Sequence, residues 1–104
     1  MSEIEKMYYV DVNDSAKLMM LEHITFLSQV NVTAAEKLYE DFEKAFDSLS
    51  KFPHRCPVFD TPYTSSEYRR LVIDRYVLLF TIDNQKNIVH VEYIWDSRQG
   101  NTLL

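Results

Sequence analysis

The chain has 104 residues, 46% of them hydrophobic and 26% charged, with a net charge of −5. That balance fits a single domain over residues 1–104 that buries roughly 60–70% of its unfolded surface, and it excludes low-complexity or broadly nucleic-acid-coating chains. Residues 1–50 carry four Lys against ten Asp/Glu (−6), residues 51–104 seven Lys/Arg against six acids (+1), and all five arginines lie in the second half. Any phosphate site is therefore local. The lone Cys56 precludes an intrachain disulfide and suits a reducing compartment; its surroundings spell no Cys/His nucleophile. The N-terminal Met-Ser-Glu-Ile-Glu-Lys lacks an apolar core for a signal peptide. No run approaches the ~20 apolar residues of a membrane span, so a cytoplasmic protein with no membrane partner is expected. No cofactor is implied.

Met7 to Val12 reads as a short strand, with Tyr8, Val10 and Val12 on one face. Asn13-Asp14-Ser15 is N-cap chemistry for a helix beginning near Ala16, along which Met20, Ile24 and Leu27 recur at helical spacing. Thr33-Ala34-Ala35-Glu36 reads as a capping box opening a second helix. Ala35, Leu38, Phe42, Ala45 and Leu49 draw its apolar stripe, Glu36, Glu40, Glu43 and Asp47 an acidic, solvated one. Glu40 with Lys44, and Asp47 with Lys51, are expected i,i+4 pairs. Two or three residues separate the helices, so they form an antiparallel hairpin. Pro53 stops the second helix, and Phe52 is expected to extend its apolar stripe. His23, His90 and the acidic stripe read as packing and solvation, and no metal site is expected.

After a long link from Lys51 to Glu67 come three β-runs, Tyr68–Asp74, Tyr76–Ile82 and Ile88–Trp95, the last two separated by Asp83-Asn84-Gln85-Lys86-Asn87. In the first run Arg69, Leu71 and Ile73 alternate with Arg70 and Val72. In the last, strict alternation puts Val89, Val91, Tyr93 and Trp95 on one face, and Ile88, His90, Glu92 and Ile94 on the other. The middle run is apolar throughout and has to be covered on both faces, or on one face with a partner filling the other.

Tyr68-Arg69-Arg70-Leu71-Val72, Arg75-Tyr76-Val77-Leu78-Leu79-Phe80, Asp96-Ser97-Arg98-Gln99 and Leu49-Ser50-Lys51-Phe52-Pro53 together resemble the RelE/ParE toxins of type II toxin–antitoxin systems, the plasmid stabilisation toxin family. The resemblance implies an α+β fold of order β-α-α-β-β-β, an antiparallel sheet of meander plus N-terminal strand packed on a helical hairpin. It implies a toxin neutralised by a cognate antitoxin. The leading activity is that of a ribosome-dependent mRNA endoribonuclease (mRNA interferase), with Arg69, Arg98 and His54 as catalytic candidates at the sheet's exposed face or rim. Lys51, Arg55 and Arg75 are candidates for holding RNA, and Leu79, Tyr93 and Trp95 for holding the antitoxin. Trp95 and Asn101 stand where many ribonuclease members carry His and Tyr. The alternatives are a ParE-like inhibitor that acts by binding DNA gyrase, and a non-toxic scaffold with a regulatory role.

Overall fold

The computed structural model describes residues 7–59 and 65–99; Asn101 and residues 60–64 of the link lie outside them. Strand β1 (Tyr9–Val12) leads into α1 (Asp14–Ser28) and α2 (Val32–Lys51). The chain then passes through a 3-10 turn at Pro53–Arg55 and a short β2 (Val58–Phe59), and ends in β3 (Tyr68–Ile73), β4 (Tyr76–Asp83) and β5 (Ile88–Asp96). The sheet order is β1-β5-β4-β3-β2. The α+β class and the meander match the expected architecture. Two details are added: β1 joins the sheet at its edge parallel to β5, making the sheet mixed, and the link supplies β2 as the opposite edge. A parallel neighbour needs a long crossover, and the helical hairpin gives the chain the length to reverse.

Both helices start where an asparagine can accept free amides. Asn13 Oδ1 takes the amide of Ala16 at 2.8 Å, and Asn31 Oδ1 takes that of Ala34 at 3.0 Å. The cap of α2 is therefore Asn31, and Thr33 lies inside the first turn rather than opening a capping box. Asparagine ranks above threonine at this position, which is why the earlier residue wins. Asp47–Lys51 forms at 3.3 Å, but Lys37–Asp41 at 3.0 Å takes the place of the expected Glu40–Lys44 pair. Phe52 caps the helix C-terminus with its ring exposed instead of extending the stripe, because φ −137° and ψ 60° leave the helical path ahead of Pro53.

The core lies between the helices and one sheet face. Leu38, Phe42 and Leu49 of α2 meet Tyr76, Leu78 and Phe80 of β4 and Val89, Val91 and Ile94 of β5. Met20, Ile24 and Leu27 of α1 close its side. Tight connections set the register. A two-residue loop joins β3 to β4, with Asp74 at φ 53°. In the β4–β5 loop Asp83 Oδ1 accepts the amides of Gln85 and Lys86, and Asn87 takes φ 57°. Aspartate and asparagine tolerate this left-handed region better than other non-glycine residues.

The alternation expected for β5 breaks at Glu92. Leu79 pairs with Tyr93, yet Phe80 pairs with Val91, so two residues of β5 oppose one step of β4 and Glu92 is left over in a β-bulge. Beyond it the faces exchange. Ile94 and Asp96 continue the helix-side row of Val89 and Val91, while Tyr93 and Trp95 turn to the other face. Tyr93 and Trp95 thus do not share a face with Val89 and Val91.

The asparagine cap is testable. Asn31→Ala should lower stability by about 1 kcal/mol, and Thr33→Ala should stay within about 0.5 kcal/mol of the parent, as measured by urea denaturation. The reverse order would reinstate the threonine cap.

Candidate functional site

The end of the sheet is built around one carboxylate. Asp96 sits opposite Tyr76 and is only 5% exposed, so burial favours its protonation. Three donors on two neighbours oppose that. Asp96 Oδ1 accepts the Arg98 amide at 2.9 Å; Oδ2 meets Arg75 Nε at 3.2 Å and Arg98 Nη2 at 3.5 Å. Burial raises the Asp96 pKa, but these Arg98 and Arg75 contacts prevail and hold it below the usual carboxylate range. The Ser97 amide and hydroxyl both donate to the Arg75 carbonyl at 2.8 Å. Asp96-Ser97-Arg98 therefore closes the sheet as a staple, with Arg75 also 5.2 Å from the Tyr76 ring as a cation–π contact. The Arg98 side chain remains 63% exposed.

Arg69 serves a second internal task. Its register with Phe80 and its alternation with Leu71 and Ile73 put it on the helix side of β3, rather than on the open face or rim. From there Nη1 donates to the Cys56 carbonyl at 2.6 Å and the His54 carbonyl at 3.3 Å, pinning the 3-10 turn to the sheet. Arg55 braces the same turn, donating to Ser48 Oγ at 2.8 Å and lying 3.1 Å from Cys56 Sγ. Burial pushes the Cys56 thiol up despite both arginines, which makes it a poor nucleophile.

Of the three catalytic candidates, His54 and Arg69 come together and Arg98 does not. His54 and Arg69 line a cleft of about 380 Å³ with Thr81, Asn84 and Glu92. Arg98 follows Asp96, whose partner Tyr76 stands four residues before the Phe80 opposite Arg69 on β4, about 13 Å along the strand at 3.3 Å per residue. Arg55 and Arg75 share a different groove of about 750 Å³ between α2 and β3, with Lys37, Lys44 and an apolar floor of Leu71 and Ile73. Lys51 is paired with Asp47 on the exposed end of α2, outside both.

The sheet face away from the helices carries Val72 of β3, Val77 and Leu79 of β4, and Tyr93 and Trp95 of β5 in cross-strand rows. Arg70 stands among them, 6.0 Å from the Phe59 ring. Leu79, Tyr93 and Trp95 thus do share a face, with Leu79 buried beneath its neighbours. Glu92 and Tyr68 were not foreseen as a pair. The bulge frees the Glu92 carboxylate to accept the Tyr68 hydroxyl at 2.8 Å, and that bond, ahead of burial, pushes the Tyr68 pKa up to about 12. The only sequence cue was an acid inside an apolar strand. Among the described residues no cluster of His, Cys, Asp and Glu is placed to hold a metal, and no helix is long and apolar enough to cross a membrane.

A family model described as the ParE toxin of the type II toxin–antitoxin system parDE matches residues 10–100. Two solved structures share the fold. The RelBE2 toxin–antitoxin complex of Mycobacterium tuberculosis superposes with a TM-score of 0.62 at 19% identity, covering 86% of this chain and 98% of the other. The archaeal RelE–RelB complex of Pyrococcus horikoshii gives a TM-score of 0.59 at 12% identity, covering 90% and 99%. No curated protein matches the sequence.

Two titrations test this geometry. The folded state binds a proton at Asp96 more weakly than the unfolded chain does, so its contribution is complete above the ordinary pKa of 3.8 and is lost as pH falls through the lower folded value. Asp96→Asn should therefore cost about 1–3 kcal/mol at neutral pH, and its urea midpoint should converge on the parent's once the pH has fallen below the ordinary carboxylate value and through the lowered folded one. For Tyr68, ultraviolet titration should show a phenol ionising near 12 that Glu92→Gln brings down toward the ordinary value.

Proposed function

The chain belongs to the ParE toxin family of type II toxin–antitoxin systems, and from that membership we propose that it halts growth by binding its target, DNA gyrase, rather than by cutting RNA. The cognate antitoxin neutralises it by covering the open sheet face around Leu79, Tyr93 and Trp95.

The observation that carries this reading is how the arginines are used. Cleavage of RNA by its own 2′-hydroxyl needs a base, an acid and cations around the phosphorane. Arg69 is bonded to two backbone carbonyls and Arg75 and Arg98 to Asp96, and Arg69 and Arg98 lie at different levels of the sheet. By contrast, the open face sets the rings of Tyr68, Tyr93 and Trp95 beside a buried strand, with Arg70 next to them. Aromatic and arginine side chains on a fixed scaffold are the common anchors of protein interfaces. An antitoxin segment that is disordered when free can fold onto such a surface as a helix or added strand.

A second reading, the ribosome-dependent mRNA interferase, is favoured by one specific feature: His54, Arg69 and Glu92 line one cleft. Purified chain added to gyrase supercoiling assays should inhibit the reaction and trap cleaved DNA, while mRNA ends mapped in a parallel cell-free translation stay intact. Trp95→Ala should weaken the gyrase effect on the order of tenfold or more. Ribosome-dependent cuts that vanish in His54→Ala would establish the interferase instead, and silence in both assays would leave the regulatory scaffold.

A further inference from the structure

Helix α1 presents apolar side chains outward as well as inward. Leu18, Leu21 and Phe26 are 58%, 50% and 70% exposed, and Val30 and Val32 continue the bare surface around the hairpin tip. Helix α2 differs, since its outward side is the polar, acidic one. A helix apolar on both sides is ordinarily covered on both. We propose that a second copy of this chain covers α1, the same face of each copy meeting antiparallel across a two-fold axis.

Two observations select a second copy as the occupant, and a third sets how tightly it is held. The first is shape. The outward face holds a depression of about 350 Å³ lined by Leu18, Leu21, Glu22, Thr25 and Phe26. Leu18, Leu21, Glu22 and Thr25 are spaced i, i+3, i+4, i+7, the diamond that forms a hole on a helix surface. Phe26, at the rim of this hole and 70% exposed, supplies the knob. Under a two-fold axis each Phe26 enters the other copy's hole, so one surface supplies both halves of the contact, as an isologous interface requires.

The second is charge. Each copy carries −5, and the acids Glu36, Glu40, Glu43 and Asp47 of α2 repel their counterparts. The α1 depression has one charged residue, Glu22, and antiparallel packing centred between residues 23 and 24 sets it level with the partner copy's Thr25, a hydroxyl able to donate to it. The third is extent. A single helix pair of this length reaches only the lower end of specific interfaces, about 1,200 Å² in total, so the dimer is weak and reversible. The contact uses the outer side of the helical layer and leaves the open sheet face to other partners.

Sedimentation velocity of the purified chain over a concentration series tests the proposal. A concentration-dependent monomer–dimer equilibrium is expected. Phe26→Glu should weaken it by at least about tenfold with an unchanged circular dichroism spectrum and urea midpoint, since Phe26 is outside the core. Leu21→Glu provides the second variant, and Phe26→Leu should retain part of the association. A chain that is monomeric throughout, or a dimer unaffected by Phe26→Glu and Leu21→Glu, overturns the proposal. Hydrogen exchange in α1 that slows only when the antitoxin is added to a monomeric chain gives the face to that partner, and also overturns it.

Discussion

The fold depends on covering one strand. Tyr76 to Phe80 of β4 is buried at every position, so both faces of the sheet must be sheltered at its centre. On one face Leu38, Phe42 and Leu49 of α2 supply the cover, and a side chain such as Phe42, deep in that layer, costs about 3–5 kcal/mol to truncate. On the other face no helix packs among the described residues. Val77 and Leu79 are flanked there by side chains of neighbouring strands, with Tyr93 and Trp95 directly beside them. The asymmetry follows from the chain's economy: one helical hairpin can cover one face only. The second face remains a surface whose most bulky groups are aromatic, and the binding reading starts from it.

The bulge at Glu92 is what makes that asymmetry compatible with the sequence. Without it, strict alternation would turn Tyr93 and Trp95 into a core already filled by Phe42, Tyr76 and Phe80, and would turn Ile94 outward. One extra residue exchanges the faces midway along β5, so Ile94 fills the core and the larger rings move out. The residue left over is an acid, and its hydrogen bond to Tyr68 ties β5 to β3 across β4. A buried or half-buried carboxylate needs such a partner.

Arginine use follows the same logic. In a chain with few glycines and short connections, the 3-10 turn after α2 and the end of β5 expose backbone carbonyls and a buried aspartate that need donors. Arg69 and Arg55 serve the first site, Arg75 and Arg98 the second. Residues that look like phosphate ligands in a list are here largely satisfied by their own protein. What stays available is the exposed Arg98 side chain, Arg70 on the open sheet face and the basic rim of the groove along α2.

Local patterns in the sequence were sufficient for both helices and for four of the five strands, because N-cap chemistry such as that of Asn13, a 3.6-residue apolar stripe and period-two strands act over a few residues. The stripe Ala35, Leu38, Phe42, Ala45 and Leu49 is buried throughout, and Pro53 ends α2 where the chain lacks an amide to continue. The toxin family was also legible, in the order of short motifs around Arg69, Tyr76 and Arg98. The parallel placement of β1, the strand β2 and the exchange of faces at Glu92 were not, since pairing partners and bulges are set by contacts between distant residues. The same applies to the arginines. Their identity is local, but whether a guanidinium faces solvent, a carbonyl or Asp96 is decided only when β3, β5 and the turn after α2 come together.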